Sequence, residues 1–388
     1  MTVELFENRR ILFAGGGTGG HIFPGLAVIE KLRHEVGNVR FMWIGTKDRI
    51  EAEIIPENDV PFKPINIDYF KRDLSPSAML RNLSVAANLL TFRSIRESQS
   101  IIDEFKPDVV VGLGSFVAGP VVIAGSLKHI PTVLLELNTK PGLSTKWAAP
   151  SATRICLADS FAEKELRRFR KKIVVTGCPI REDIVNTDHE TGIKKMGLEP
   201  SLKTVLVLGG SQGAQTINDI FLGAWELNVK RAQKKITGAQ VVHQWGKKSF
   251  SATKTKIQSL PFNKTYHLFS FLTSMADALA SADVIVSRSG ATTIAEITAR
   301  GIPSILIPFP YSANNHQYLN AESLKIKGAA EVIEEKYLSM DYLLRETYEI
   351  LSDPKKHKAM SEASKSLGKP NATADFIKVI AEAAGWKK

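Results

Sequence analysis

His21 offers the most chemistry in this chain, because it stands directly after Gly15-Gly16-Gly17-Thr18-Gly19-Gly20. Glycines let backbone N–H groups approach a ligand closely, and the amides that open a helix carry partial positive charge, so such a turn suits a phosphate. An imidazole that titrates near neutrality, set beside a bound diphosphate, is placed to act as a general base. The turn needs a strand before it and a helix after it. Ile11 to Ala14 is an apolar run suited to a buried strand, and a helical pattern opens near Pro24.

The densest polar constellation is Ser287-Arg288-Ser289-Gly290-Ala291-Thr292-Thr293-Ile294-Ala295-Glu296. Hydroxyls and helix-start amides suit a diphosphate, and Glu296, about one turn in, has two oxygens for the two hydroxyls of a ribose. The same residues also fit plain caps with a solvated glutamate. Pro308-Phe309-Pro310 leads to Asn314-Asn315-His316-Gln317, whose amide side chains suit sugar hydroxyls. Asn138, after an apolar run from Thr132 to Leu137, belongs with them, although such residues also serve as turn formers. Arg181, just past Pro179, fits either a phosphate contact or a solvated hinge.

Several chemistries are disfavoured. Gly15, Gly17 and Gly20 satisfy the dinucleotide fingerprint, but the strand Val39 to Gly45 ends without the acid that would hold a ribose, and Asp48 lies three residues too far on. No Gly-Lys-Ser/Thr closes the turn as a triphosphate loop requires. No Asp-x-Asp, no His-x-x-x-His and no ligand-spaced cysteine pair points to a metal, so no metal and no cofactor are expected. Phosphate charge would then be met by amides, helix dipoles and arginine.

The elements that must position these residues alternate in type. Apolar runs at Val39–Ile44, Phe62–Ile67, Asp108–Gly112, Thr132–Leu137, Arg154–Leu157 and Ile173–Thr176 are separated by helical patterns such as Asp48–Ile55, Met79–Glu104 and Phe161–Phe169. Continuous apolar strands alternating with helices predict a doubly wound parallel sheet, an α/β domain. After a polar stretch, Thr204 to Leu208 runs into Gly209-Gly210-Ser211-Gln212-Gly213-Ala214, and a second such domain begins. The chain of 388 residues is therefore expected to hold two Rossmann-like domains joined near Gly177-Cys178-Pro179, with ligands beyond the carboxyl ends of the strands and the glycine loops lining one cleft. A last helical segment runs from Ala374 to Gly385.

Apolar content of 44% and charged content of 23% are those of an ordinary globular protein. The formal net charge of +11 favours acidic partners such as nucleotide diphosphates or an anionic membrane surface, while the spread of basic residues along the chain argues against nucleic acid. Cys156 and Cys178 read as buried thiols of a reducing compartment. Glu4, Glu7, Arg9 and Arg10 interrupt any signal-peptide core. Val109 to Leu127 has no charged residue and the length of a span, yet its four glycines and Pro120 read as strand, loop and packed helix. Leu80, Leu83, Ala87 and Leu90, near Arg81, Arg93 and Arg96, form either the core face of a helix or a basic amphipathic contact with anionic lipid.

Taken together, Gly16 to Ala27, the Gly112 to Pro120 loop, Glu136 and Asn138, Gly209 to Ala214, Arg288 to Glu296, and His316-Gln317 closely resemble the MurG family of UDP-N-acetylglucosamine transferases of peptidoglycan synthesis. The resemblance implies the GT-B glycosyltransferase fold, with residues 1–178 as an acceptor- and membrane-docking domain, 179–368 as a UDP-GlcNAc-binding domain, and 369–388 as a helix returning to the first domain. It implies an inverting transfer of GlcNAc from UDP-GlcNAc to the 4-hydroxyl of the MurNAc of lipid I, giving a β-1,4 linkage and lipid II, at the cytoplasmic face of the bacterial membrane. Thr18, Gly19, Gly20, Asn138, Arg181, Ser211, Leu272, Ala291, Thr292, Thr293, Ile294, Ala295, Glu296 and Gln317 then resemble the nucleotide-sugar contacts, Leu272 through its backbone. His21 is the first choice for the base and Glu136 the second. The sequence departs from the family at Leu135 and Leu137, which replace histidine and glutamine, and at Gly114-Ser115-Phe116, which replaces Gly-Gly-Tyr. The rival readings are a glycosyltransferase acting on another lipid or a UDP-GlcNAc 2-epimerase, then a nicotinamide-dependent oxidoreductase, then a membrane scaffold.

Overall fold

The computed structural model describes residues 3–67, 93–209, 213–230, 236, 238–247 and 249–386. The chain divides into two compact units, Met1–Arg181 with Asn371–Lys388, and Glu182–Pro370. The first unit runs β1 (Arg10–Ala14), α1 (Gly19–Val36), β2 (Arg40–Gly45), α2 (Glu51–Glu57), β3 (Phe62–Pro64), α3 (Arg93–Phe105), β4 (Val109–Gly112), α4 (Ser115–Leu127), β5 (Thr132–Glu136), α5 (Leu143–Ala148), β6 (Arg154–Leu157) and β7 (Ile173–Val175). Its strands pair in the order β3-β2-β1-β4-β5-β6-β7, all parallel. Ile11, Leu12, Phe13 and Ala14 of β1 and Val109, Val110 and Val111 of β4 are wholly buried, because a parallel sheet is covered on both faces. Winding reverses between β1 and β4, so the loops that follow these two strands flank the point where such sheets bind ligands.

The second unit repeats the plan with α6 (Glu182–Asn186), α7 (His189–Met196), β8 (Lys203–Leu208), α8 (Gln215–Lys230), β9 (Ala239–Gln244), α9 (Phe250–Gln258), β10 (Tyr266–Phe269), α10 (Met275–Ser281), β11 (Val284–Ser287), α11 (Ala291–Arg300), β12 (Ser304–Leu306), α12 (His316–Ile326), β13 (Ala330–Val332), α13 (Met340–Ser352) and α14 (Pro354–Leu367). Its order, β10-β9-β8-β11-β12-β13, puts the loops after β8 and β11 at the equivalent switch point. The final helix, α15 (Ala372–Ala383), belongs to the first unit, where it packs against α1, β5 and β6.

The apolar stretch from Val109 to Leu127 forms β4, a short loop and α4, and no helix among the described residues is long and apolar enough to cross a membrane. Most of the basic amphipathic stripe from Met79 to Arg96 lies outside the described residues. Two expectations are corrected. Helix α1 opens at Gly19, five residues before Pro24, which lies inside it. Phe161 to Phe169 forms no α-helix but two 3-10 turns, Ser160–Glu165 and Arg167–Lys172. Asp159 caps the first turn through Phe161 N, and Leu166, at φ −112° and ψ 20°, breaks the helical run between the two turns. That second turn gathers Arg167, Arg168, Arg170, Lys171 and Lys172 into a cationic block denser than an even spread.

The core of the second unit holds a buried imidazole. His243 on β9 is wholly buried, with Nδ1 2.7 Å from Tyr266 Oη and Nε2 3.1 Å from Asn218 Oδ1. Burial pushes its pKa down to about 3. The neutral ring's contribution to stability is fully present above the unfolded-state value of about 6.5. Below that, the unfolded chain takes up a proton that the folded chain refuses, so stability falls by about 1.4 kcal/mol per pH unit toward about pH 3. Thermal melts of the whole chain between about pH 8 and about pH 4 are expected to show this slope, and His243→Gln to flatten it. An unchanged slope in the variant would assign the loss to other groups.

Candidate functional site

In the first unit the turn after β1 is clamped by two side chains. Trp43 Nε1 donates to Gly15 O at 2.9 Å. Glu51, wholly buried, accepts from Gly17 N at 2.8 Å, from Thr46 N at 3.1 Å and from Thr46 Oγ1 at 2.6 Å. Thr18 occupies the N-cap of α1 without capping it; its hydroxyl lies 3.2 Å from His21 Nδ1. The His21 ring reaches the loop after β4, where a Cβ on Gly114 would come within 2.9 Å of His21 Cδ2 and 3.2 Å of Nε2. Gly114 also has φ +76°, so space and backbone both demand glycine there. Ser115 follows at φ +66°, a left-handed conformation costing about 1 kcal/mol in a residue with a Cβ.

Glu136, at the end of β5, is 3% exposed. One carboxylate oxygen accepts from Asn138 N at 2.9 Å and Asn138 Nδ2 at 3.2 Å. The other accepts from Gly142 N at 3.1 Å and Thr145 Oγ1 at 2.5 Å. Both oxygens thus close the loop that leads into α5, which is the geometry of an anchor. Leu135 O lies 3.6 Å from where a Gly114 Cβ would stand, so this strand end adjoins the turn carrying His21. Thr18, Gly19, Gly20, His21, Glu136 and Asn138 therefore line the carboxyl edge of one sheet.

In the second unit, Leu272 donates its amide to Gln244 Oε1 at 3.0 Å, which leaves its carbonyl as the backbone group able to meet a base. Ser211 lies outside the described residues. Ala291, Thr292, Thr293, Ile294, Ala295 and Glu296 form the first two turns of α11, behind Gly290. Ser289 Oγ donates to Gln317 O at 2.8 Å, and Gln317 Oε1 accepts from Phe309 N at 2.9 Å. Arg288, grouped by sequence with the diphosphate residues, is an internal tie. It donates to Ile307 O and Pro308 O, each at 3.2 Å, pairs with Glu335 at 2.5 Å, and stacks on Phe309. Arg181 ends the first of the two segments that make up the first unit and is half-buried.

Side chains cap some helix starts and leave others open. Asp188, Ser274, Ser339 and Asp353 cap α7, α10, α13 and α14 with their side chains. The helices that open from the glycine loops, α1, α4 and α11, have no side-chain cap, and neither have α2, α5, α9, α12 and α15. N-termini of that kind suit anionic ligands. Among the described residues, no group of three or more His, Cys, Asp or Glu side chains converges as a metal site would require. Glu51 and Arg288 are the residues whose roles sequence reasoning missed.

The glycosyltransferase family 28 N-terminal domain matches residues 11–157, and the family 28 C-terminal domain matches residues 204–378. A protein of Halothermothrix orenii, named UDP-N-acetylglucosamine--N-acetylmuramyl-(pentapeptide) pyrophosphoryl-undecaprenol N-acetylglucosamine transferase, is 38% identical over 97% of this chain and 99% of its own. A protein of the same name from Bacillus subtilis is 37% identical, covering 96% and 99%. Among solved structures, Acinetobacter baumannii MurG superposes with a TM-score of 0.70 at 25% identity, covering 96% of this chain and 99% of that one.

Proposed function

This chain belongs to the MurG family of glycosyltransferases, and from that premise we propose that it transfers GlcNAc from UDP-GlcNAc to the 4-hydroxyl of the MurNAc of lipid I, forming lipid II in peptidoglycan synthesis. The observation that carries this reading is the near-complete, end-to-end relation to transferases of that name. In the reaction the acceptor's 4-oxygen attacks the anomeric carbon of GlcNAc, and the bond from that carbon to the β-phosphate oxygen breaks. The bonding pair leaves with UDP, and the hydroxyl proton passes to a base. Inversion of the α-linked donor gives a β-1,4 linkage.

His21 is the proposed base. With Nδ1 protonated and turned to the Thr18 hydroxyl, Nε2 is the basic nitrogen, and it lies on the side of the ring that faces the loop after β4. Glu136 is assigned to holding the loop that carries Asn138. Thr18, Gly19, Gly20, Asn138, Arg181, Ser211, Leu272, Ala291 to Glu296 and Gln317 are the proposed donor contacts, Glu296 taking the ribose diol. Developing charge on UDP would be met by uncapped helix starts. Docking on the cytoplasmic face of the membrane is part of the proposal, supported by the net charge of +11.

Labelled GlcNAc supplied as UDP-GlcNAc is expected to appear in a lipid I analogue, with UDP released only when the acceptor is present. UDP release or epimerisation in the acceptor-free control, without transfer, would move the assignment to a hydrolase or a 2-epimerase.

A further inference from the structure

We propose that Glu51 is a positioning residue for the transfer, fixing the first glycine turn and through it the orientation of His21; this rests on the reading of His21 as the base. Glu51 opens α2, outside every motif discussed above, and its carboxylate is wholly buried. Burying a charge is costly unless hydrogen bonds replace its water. Here three do so, and they join two separate loops: Oε2 takes Gly17 N from the turn after β1, while Oε1 takes Thr46 N and Thr46 Oγ1 from the turn after β2.

The turn is shaped around this group. A Cβ on Gly16 would stand 2.1 Å from Glu51 Oε1 and 2.4 Å from Cδ, while its backbone lies outside the left-handed region. Gly16 is therefore glycine because the carboxylate occupies the space, and conformational freedom is not the reason. The path to the chemistry is short. Glu51 holds Gly17, the next residue Thr18 presents its hydroxyl to His21 Nδ1, and the His21 ring rests against Gly114. Trp43 fixes Gly15 at the other end of the turn. A spacer that only filled the space would need no charge, whereas an acceptor for the Gly17 amide sets where Thr18 and the start of α1 stand.

Glu51→Gln keeps the size but turns an NH2 group toward donors that now meet an oxygen. In the transfer assay its kcat is expected to fall about 10- to 100-fold, as a misplaced catalytic group requires. Affinity for UDP, which is assigned mainly to the second unit, should stay within about 3-fold. Gly16→Ala, which intrudes on the same contact from the opposite side, should reproduce the split even if Glu51→Gln folds poorly. The decisive comparison uses His21→Ala as background, where adding Glu51→Gln should cost less than about 3-fold further, because residues acting as a unit are not additive. Parent-like kcat in both Glu51→Gln and Gly16→Ala, or a full multiplication of the two losses in the double variant, would overturn the role of Glu51. Parent-like turnover in His21→Ala would overturn the base reading together with it, whereas an inactive His21→Ala beside a normal Glu51→Gln would remove Glu51 alone.

Discussion

His21→Ala is expected to lower turnover about 10²- to 10⁴-fold while leaving the affinity for UDP-GlcNAc within a few-fold of the parent. The direction follows from where the ring sits. It is half-buried, its Nδ1 is oriented by Thr18, and its other edge lies against the loop after β4. A ring held at both edges presents one nitrogen in one place, and that preorganisation is what general-base catalysis needs. A histidine that only oriented phosphate would give a different result, with KM for the donor rising and kcat largely kept. Steady-state kinetics with the donor varied at saturating acceptor separates the two. Parent-like kcat in His21→Ala would take the imidazole out of the proton transfer.

Much of this arrangement was legible because its signals are local. Ile11 to Ala14 and Thr204 to Leu208 read as buried strands running into glycine turns, and both sheets wind as such units must. His21 was visible because it directly follows six residues of which five are glycine. What stayed hidden depends on contacts between distant segments. The sequence draws notice to Asp48 only as a misplaced ribose acid, whereas the carboxylate that reaches the first turn is that of Glu51, and only the fold of β2 into α2 brings it to Gly17 across 34 positions. Arg288 sits in the most suggestive motif of the chain, but its guanidinium turns to Glu335 and to carbonyls near Phe309, partners that no spacing rule reveals. The cationic block Arg167–Lys172 was legible as five cations in six residues, but the break at Leu166 that turns it away from an α-helix was not.

Glu136 is the position where the two candidate roles predict different outcomes. As a base it would need a lone pair directed at the acceptor, and Glu136→Gln would then stop turnover as completely as Glu136→Ala, with the melting temperature little changed. The hydrogen bonds argue otherwise, since both oxygens are occupied by Asn138, Gly142 and Thr145. Removing the carboxylate as Glu136→Ala strands these buried donors, at an expected cost of about 3–5 kcal/mol. In a unit of this size that corresponds to a fall in melting temperature of roughly 10 °C. Turnover should drop about 10²-fold with it, because Asn138 and the strand end beside Gly114 lose their support. Glu136→Gln is the discriminating variant. Its Oε1 still accepts from both Asn138 donors, and the Thr145 hydroxyl can rotate to accept from its NH2, so only the Gly142 amide is orphaned, at about 1–2 kcal/mol. The anchor role therefore predicts that Glu136→Gln keeps most of the turnover that Glu136→Ala loses, with activity and melting temperature falling together across the pair. Full loss of turnover in a Glu136→Gln protein that melts like the parent would make Glu136 the base and return His21 to orienting phosphate.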